Sequence, residues 1–194
     1  AEALETAHKV NTVVLDKTGT ITEGRPRVTD LMPMNGFSAQ ELLTLAASLE
    51  KQSEHPLADA VLTLAEEQGL ALKEAEGYET LPGRGIRGQL DGRQALAGNE
   101  RLLREYGVPL DGADKSAAKL SAQGKTPLYI AAGNTLAGII AAADPIRATS
   151  PEAIRELEEM GVEVVMLTGD NRTTADAIRK QLGLTNAIAE VLPQ

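Results

Sequence analysis

Two acidic residues stand where a chain can do chemistry. Residues 11–15 (Asn-Thr-Val-Val-Leu) form a short β-branched run that ends at Asp16-Lys17-Thr18-Gly19-Thr20. Residues 162–167 form a second run, ending at Thr168-Gly169-Asp170-Asn171. Apolar runs of this length that stop at turn residues predict buried strands followed by loops. In an open parallel sheet, ligands meet the loops beyond the carboxyl ends of the strands, and both Asp16 and Asp170 fall at such ends. A carboxylate there can simply cap a turn. It can also attack phosphorus and form an acyl phosphate. Attack by one anion on another needs a cation between them, and loop N–H groups can cradle the phosphoryl oxygens.

The elements that must position these loops follow from the pattern around them. Helical periodicity covers 150–160 before the second run and 173–182 after it, which is the grammar of a parallel α/β sheet. The middle of the chain reads differently. Ser38 and Glu41 have the spacing of a capping box, predicting a helix to about residue 50. Pro56 opens a second helix, to about residue 68. Short alternating pieces follow at 77–80, 85–90 and 94–97, then helical stretches at 99–106 and 111–123. Two strands, 127–132 and 136–141, meet at Gly133-Asn134, a hairpin signal. The middle is therefore an antiparallel α+β unit inserted into an α/β domain. Gly and Pro punctuate the two crossings, at 22–26 and 144–147.

Composition narrows the classes. The chain has 194 residues and a formal net charge of −9, which argues against nucleic acid as a partner. Aromatic residues make up 2%, too few for base-stacking platforms. There is no cysteine, so disulfides, thiol catalysis and Cys-based zinc sites are excluded. No apolar run approaches the roughly 18 residues that a membrane helix needs.

As a complete string after a hydrophobic strand, Asp16-Lys17-Thr18-Gly19-Thr20 resembles the phosphorylation signature of P-type ATPases, a branch of the haloacid dehalogenase superfamily. Thr168-Gly169-Asp170 and Asp144-Pro145 resemble two further motifs of that family. The resemblance implies that Asp16 accepts the γ-phosphate of ATP, with Lys17 and Thr18 in the same loop and Mg²⁺ held at Asp16 and Thr18. It implies that Thr168 donates a hydroxyl to the phosphoryl group. Gly169 belongs to the same motif, and Asp170 would support the nucleotide or metal end. Related phosphatases carry a second Asp two residues after the nucleophile. Here that residue is Thr18, which cannot take a proton from water, so the covalent intermediate is expected to persist.

The inserted segment carries a second set of matches. Ser53-Glu54-His55-Pro56-Leu57, with Glu50 five residues before His55, resembles the heavy-metal-transporting branch of the P-type ATPases. Gly83-Arg84-Gly85-Ile86 and Gly98-Asn99 resemble two more of its motifs. The resemblance implies that Glu50 and His55 fix adenine. It places Gly83, Gly85 and Ile86 where backbone approaches the nucleotide, with Gly98 in a neighbouring turn from which Asn99 contributes an amide. Taken alone, His55 before a helix-opening Pro reads as an N-terminal cap or surface residue. Two lookalikes fail on context. The string from Gly83 to Gly88 satisfies G-x-G-x-x-G but runs into a strand, whereas a dinucleotide loop opens a helix. Gly124-Lys125-Thr126 ends like a phosphate-binding loop, yet position 119 is Lys and a strand follows.

The expected fold is α/β: a haloacid-dehalogenase-like parallel-sheet phosphorylation domain from 1–25 and 143–194, truncated at its C-terminus. An α+β nucleotide-binding domain with an antiparallel sheet, 26–142, interrupts it. The family pattern continues past Leu192-Pro193 with a phosphate-binding Lys and a Gly-Asp-Gly-x-Asn-Asp string, neither of which occurs here. That leaves the 11–15 strand with an open edge, and the chain by itself is not expected to turn over. The implied function is the ATP-binding and autophosphorylation region of a heavy-metal-translocating P-type ATPase, with Cu⁺ favoured. Its partners would be ATP and the transmembrane and actuator domains of the parent pump. It would be a soluble, cytosolic portion of an integral membrane protein that does not itself bind the transported ion. Two other readings stand beside it: a nucleotide-binding module without turnover, and a soluble phosphatase of the same superfamily.

Overall fold

A computed structural model describes residues 9–191. Leu192-Pro193, where the motif matches end, lies outside the described residues. In chain order the elements are β1 Thr12–Asp16, β2 Arg27–Pro33, α1 Ala39–Glu50, α2 Pro56–Glu67, β3 Glu76–Leu81, β4 Gly85–Leu90, β5 Arg93–Gly98 and α3 Glu100–Glu105. They continue with α4 Ala113–Ser121, β6 Thr126–Ala132, β7 Thr135–Ala143, α5 Ser150–Glu159, β8 Glu163–Leu167, α6 Arg172–Leu182 and β9 Asn186–Ile188. These make two compact units. Among the described residues, one takes 9–25, 122–124 and 144–191; the other takes Pro26–Ser121 and Lys125–Ala143.

The first unit is built on a parallel sheet in the order β1-β8-β9. Its register sets Asp16 opposite Leu167, and Leu167 opposite Ile188. Helices α5 and α6 cover one face, where Ile154, Ile178 and Leu182 bury against Val164 and Met166. Alternation along β1 sends Val14 to the other face, where it is 55% exposed. Among the described residues β1 is an edge strand. Helix α6 starts where Asn171 Oδ1 accepts from the Thr174 amide at 3.0 Å and stops at Gly183 in the left-handed region.

The second unit is a six-stranded antiparallel sheet in the order β2-β7-β6-β5-β4-β3. Period-two alternation feeds two cores. Ala95, Ala97 and Ile130 face α1 and α2; Leu96, Tyr129 and Ala131 face α3 and α4. The Ser38–Glu41 capping box forms as its spacing predicts. Strand β2 is an element that the sequence pattern does not announce. It is an edge strand, bulged between Val28 and Asp30 and ending at Pro33, so its alternation is broken where it would have been read. No helix among the described residues is long and apolar enough to cross a membrane.

Candidate functional site

In the first unit, Asp16 is the last residue of β1 and is exposed. Among the described residues its carboxylate takes no hydrogen bond. The chain then makes one wide turn over Lys17–Ile21, closed by the Thr22 amide on the Lys17 carbonyl at 2.9 Å. Thr18 within it is extended, and Gly19 has φ +78°, a conformation that costs a side-chain-bearing residue energy. Lys17 folds back inward. Its Nζ donates to Asp170 Oδ2 at 2.7 Å, with both side chains about nine-tenths buried.

Thr168 is buried, and its hydroxyl donates to Asp170 Oδ2 at 3.0 Å while accepting from the Asp170 amide at 3.1 Å. At Gly169 between them a Cβ would fit tightly, 3.3 Å from the Val191 carbonyl. The parallel register thus brings Asp16, Lys17, Thr168 and Asp170 to one end of the sheet. In this arrangement the Asp170 carboxylate accepts from both Lys17 and the Thr168 hydroxyl.

The sequence marks Asp144 as part of a crossing and of the Asp144-Pro145 motif, and the structure gives its side chain a larger role. Oδ2 lies 2.5 Å from Thr22 Oγ1 and accepts from the Gly24 amide at 3.2 Å; Oδ1 accepts from the Arg25 amide at 3.0 Å. Arg147 donates to the Thr22 and Gly19 carbonyls at 2.9 and 3.1 Å, and Ser150 donates to the Ile21 carbonyl at 2.7 Å. The returning chain therefore clamps the loop that follows Asp16. The outgoing and returning segments are far apart in sequence, so no local pattern marks the clamp.

Oxygen chemistry at this end suits a hard cation. Mg²⁺ takes one or two carboxylates and completes its octahedron with water and substrate phosphates. The exposed Asp16 carboxylate matches that demand, with Thr18 in the adjoining turn. Asp170 meets it less well, because Lys17 and Thr168 already engage its Oδ2. Among the described residues no group of three or more His, Cys, Asp or Glu side chains forms a closed metal cage.

The second unit gathers the other candidates in two places. Glu50 ends α1 and is only 5% exposed. Burial pushes its carboxyl above the ordinary value, and a hydrogen bond from Ser53 works the other way. His55 is exposed and caps α2, its Nδ1 accepting from the Leu57 amide at 3.2 Å. Capping through Nδ1 leaves the ring proton on Nε2. Gly85 pairs with Gly98 across β4 and β5. A Cβ on Gly85 would lie 2.2 Å from the Ala97 carbonyl, and one on Gly98 would lie 2.2 Å from the Arg84 carbonyl. The glycines are therefore required by backbone-to-backbone approach. Ile86 is buried in the core beneath α1 and α2, so it supports the loop from inside. Gly83 takes φ +69° at the head of that loop, and Asn99 caps α3.

The first unit is thus a parallel α/β unit with an acidic residue at the carboxyl end of its first strand and the returning chain clamping the loop that follows. The haloacid dehalogenase-like hydrolase family matches residues 10–194, and the chain belongs to it. Within that family its relatives are transport ATPases. It is 48% identical over 193 residues to "Copper-transporting ATPase 2" of Rhizobium meliloti, covering 100% of this chain and 23% of that protein. It is 42% identical over 194 residues to "Copper-exporting P-type ATPase" of Legionella pneumophila, covering 100% of this chain and 26% of that protein. A solved zinc-transporting PIB-type ATPase in the E2.Pi state superposes with a TM-score of 0.67 at 40% identity, over 98% of this chain and 31% of that one. The chain spans about a quarter of the length of the curated relatives it matches.

Proposed function

We propose that this chain is the nucleotide-binding and phosphoryl-accepting region of a heavy-metal P-type ATPase, with Cu⁺ as the transported ion of the parent pump. The observation that carries the reading is Asp16: an exposed carboxylate without a hydrogen-bonded partner among the described residues, at the carboxyl end of a parallel strand, beside Thr168 and Asp170. The copper-transporting relatives support the choice of ion, which membrane residues outside this chain would select.

In this reading the second unit binds ATP, with Glu50 and His55 at the base and the Gly83–Gly85 loop along the nucleotide. A carboxylate oxygen of Asp16 attacks the γ-phosphorus, the bond to the β-phosphate bridging oxygen breaks, and ADP leaves. Asp16 and Thr18 would hold Mg²⁺, which when bound would supply charge neutralisation between the two anions. Lys17 holds Asp170, Thr168 orients it, and Asp144 and Arg147 keep the loop fixed so that Asp16 is presented in one geometry. Thr18 offers no base for rapid hydrolysis, so the acyl phosphate lasts long enough to be coupled to transport. The rest of the pump, its transmembrane and actuator domains, would be the partner, and this region would lie on the cytosolic side of the membrane.

The test has two arms. ATP titrated into the 194-residue chain should shift the amides of residues 50–57, 83–86 and 98–99. In the full-length pump, Mg-ATP should leave an acid-stable, hydroxylamine-sensitive label that Asp16→Asn abolishes. A label that survives Asp16→Asn would remove Asp16 from the chemistry.

A further inference from the structure

We infer that Asn99 is a positioning residue for the nucleotide loop: it acts on the nucleotide by holding Gly83-Arg84-Gly85 in place with its side-chain amide. The inference rests on the nucleotide-binding reading of the second unit and deepens it. Both ends of the Asn99 side chain are engaged within the protein. Oδ1 accepts from the Leu102 amide at 3.1 Å, capping α3, and Nδ2 donates to the Gly83 carbonyl at 2.8 Å. The orientation is fixed by chemistry, because a flipped amide would set donor against donor at Leu102 and acceptor against acceptor at Gly83.

The backbone repeats the message. The Asn99 amide donates to the Arg84 carbonyl at 2.8 Å, and the Arg84 amide donates to the Leu81 carbonyl at 2.9 Å. The Arg84 guanidinium reaches Glu105 at the far end of α3, at 2.6 Å. The loop is therefore tied to one short helix at three points, two of them made by Asn99. The missing Cβ of Gly98 is what allows this, since it would meet the Arg84 carbonyl at 2.2 Å and Leu102 Cδ2 at 2.6 Å.

Asp and Asn cap helices about equally well, so Asn99→Asp separates the two bonds. It keeps the acceptor for Leu102 and replaces the donor to Gly83 with an acceptor that repels the carbonyl. Asn99→Ala removes both. The experiment measures three quantities on the 194-residue chain: melting temperature, amide hydrogen exchange without nucleotide, and the Kd for ATP without Mg²⁺.

Asn99→Asp should melt close to the unmodified chain and keep the Leu102 amide protected. Its Arg84 and Asn99 amides should exchange faster, and its ATP affinity should fall roughly two- to tenfold, as for loss of one hydrogen bond. Asn99→Ala should show the same affinity loss, with a lower melting temperature and an exposed Leu102 amide. Lost affinity with unchanged exchange at Arg84 would make Asn99 a direct ligand and overturn the inference. Unchanged affinity beside a binding unmodified chain would overturn it too. Failure of the unmodified chain to bind ATP would instead overturn the nucleotide reading, and the positioning role with it.

Discussion

Lys17 Nζ sits 2.7 Å from Asp170 Oδ2, although 153 residues separate the two in sequence. Parallel pairing explains the distance. With Asp16 opposite Leu167, the residues that follow each strand emerge side by side. Each side chain is about one-tenth exposed, so the pair is screened little by water. The pairing also divides labour between two carboxylates at one end of a sheet. Asp170 accepts from Lys17 and Thr168, and Asp16 keeps an exposed carboxylate, as its proposed role in phosphoryl transfer requires.

Breaking this pair from one side should be expensive. Asp170→Ala leaves a buried ammonium without its counter-charge, and the expected loss is about 3–5 kcal/mol of unfolding free energy. Lys17→Met should cost less, because Asp170 keeps the hydroxyl of Thr168. The double variant should cost less than the two singles added together. Urea unfolding of the four proteins measures this, and simple additivity would show that the two residues are not coupled.

Gly98 is a position where a single methyl group should do harm. Its Cβ would overlap the Arg84 carbonyl, which is backbone and cannot swing away. Gly98→Ala should therefore cost about 1–3 kcal/mol by the usual penalty for overpacking. Because the strain falls on the Gly83–Gly85 loop, ATP affinity should drop alongside stability. A stable variant with normal affinity would mean that β4 and β5 can separate freely at this point.

Much of this was legible in the residues themselves. Ser38 with Glu41, Pro56 and Gly133-Asn134 each announce an element because the signal is local: a cap, a fixed φ, a turn. Asp16 was legible because an acidic residue directly after an apolar run is placed by the strand that precedes it. Strands β2 and β9 were not. The first is bulged and ends in Pro33, and the second spans only three residues, so neither has enough alternation to stand out. The Asp144 clamp and the Lys17–Asp170 pair were hidden for a different reason. They exist only after the sheet register is set, and a register is a property of two strands. Asn99 shows the same limit within one motif: its spacing marks it as part of a site, while its hydrogen bonds tell what it does there.

Glu50 gives the second unit a pH dependence of known sign. Burial raises its folded-state pKa above the ordinary 4.5, so the folded protein holds this proton more tightly than the unfolded chain. Stability must then fall as pH rises from 4.5 through the raised value, and stay low above it. Glu50→Gln removes the titration while keeping the shape. It should melt higher than the unmodified chain at neutral pH, and the advantage should shrink as pH falls toward 4.5. Melting curves from pH 4.5 to 8 decide the matter; an advantage that grew on acidification would reverse the assigned sign.

His55 carries two roles that one substitution would confuse. As the cap of α2, its Nδ1 satisfies the Leu57 amide, and losing a cap costs about 1 kcal/mol. As a proposed contact to the base through Nε2, it would contribute a further hydrogen bond of about 1 kcal/mol, or roughly fivefold in affinity. His55→Ala should therefore lower both the melting temperature and the ATP affinity, which by itself proves neither role. His55→Asn separates them. The Asn side-chain oxygen is an equally good acceptor for the Leu57 amide, but a side chain one bond shorter stops short of where Nε2 reaches. That variant should melt like the unmodified chain and still bind ATP several-fold more weakly. If it binds ATP as tightly as the unmodified chain, His55 does not contact the base, and the adenine contact must be sought at Glu50.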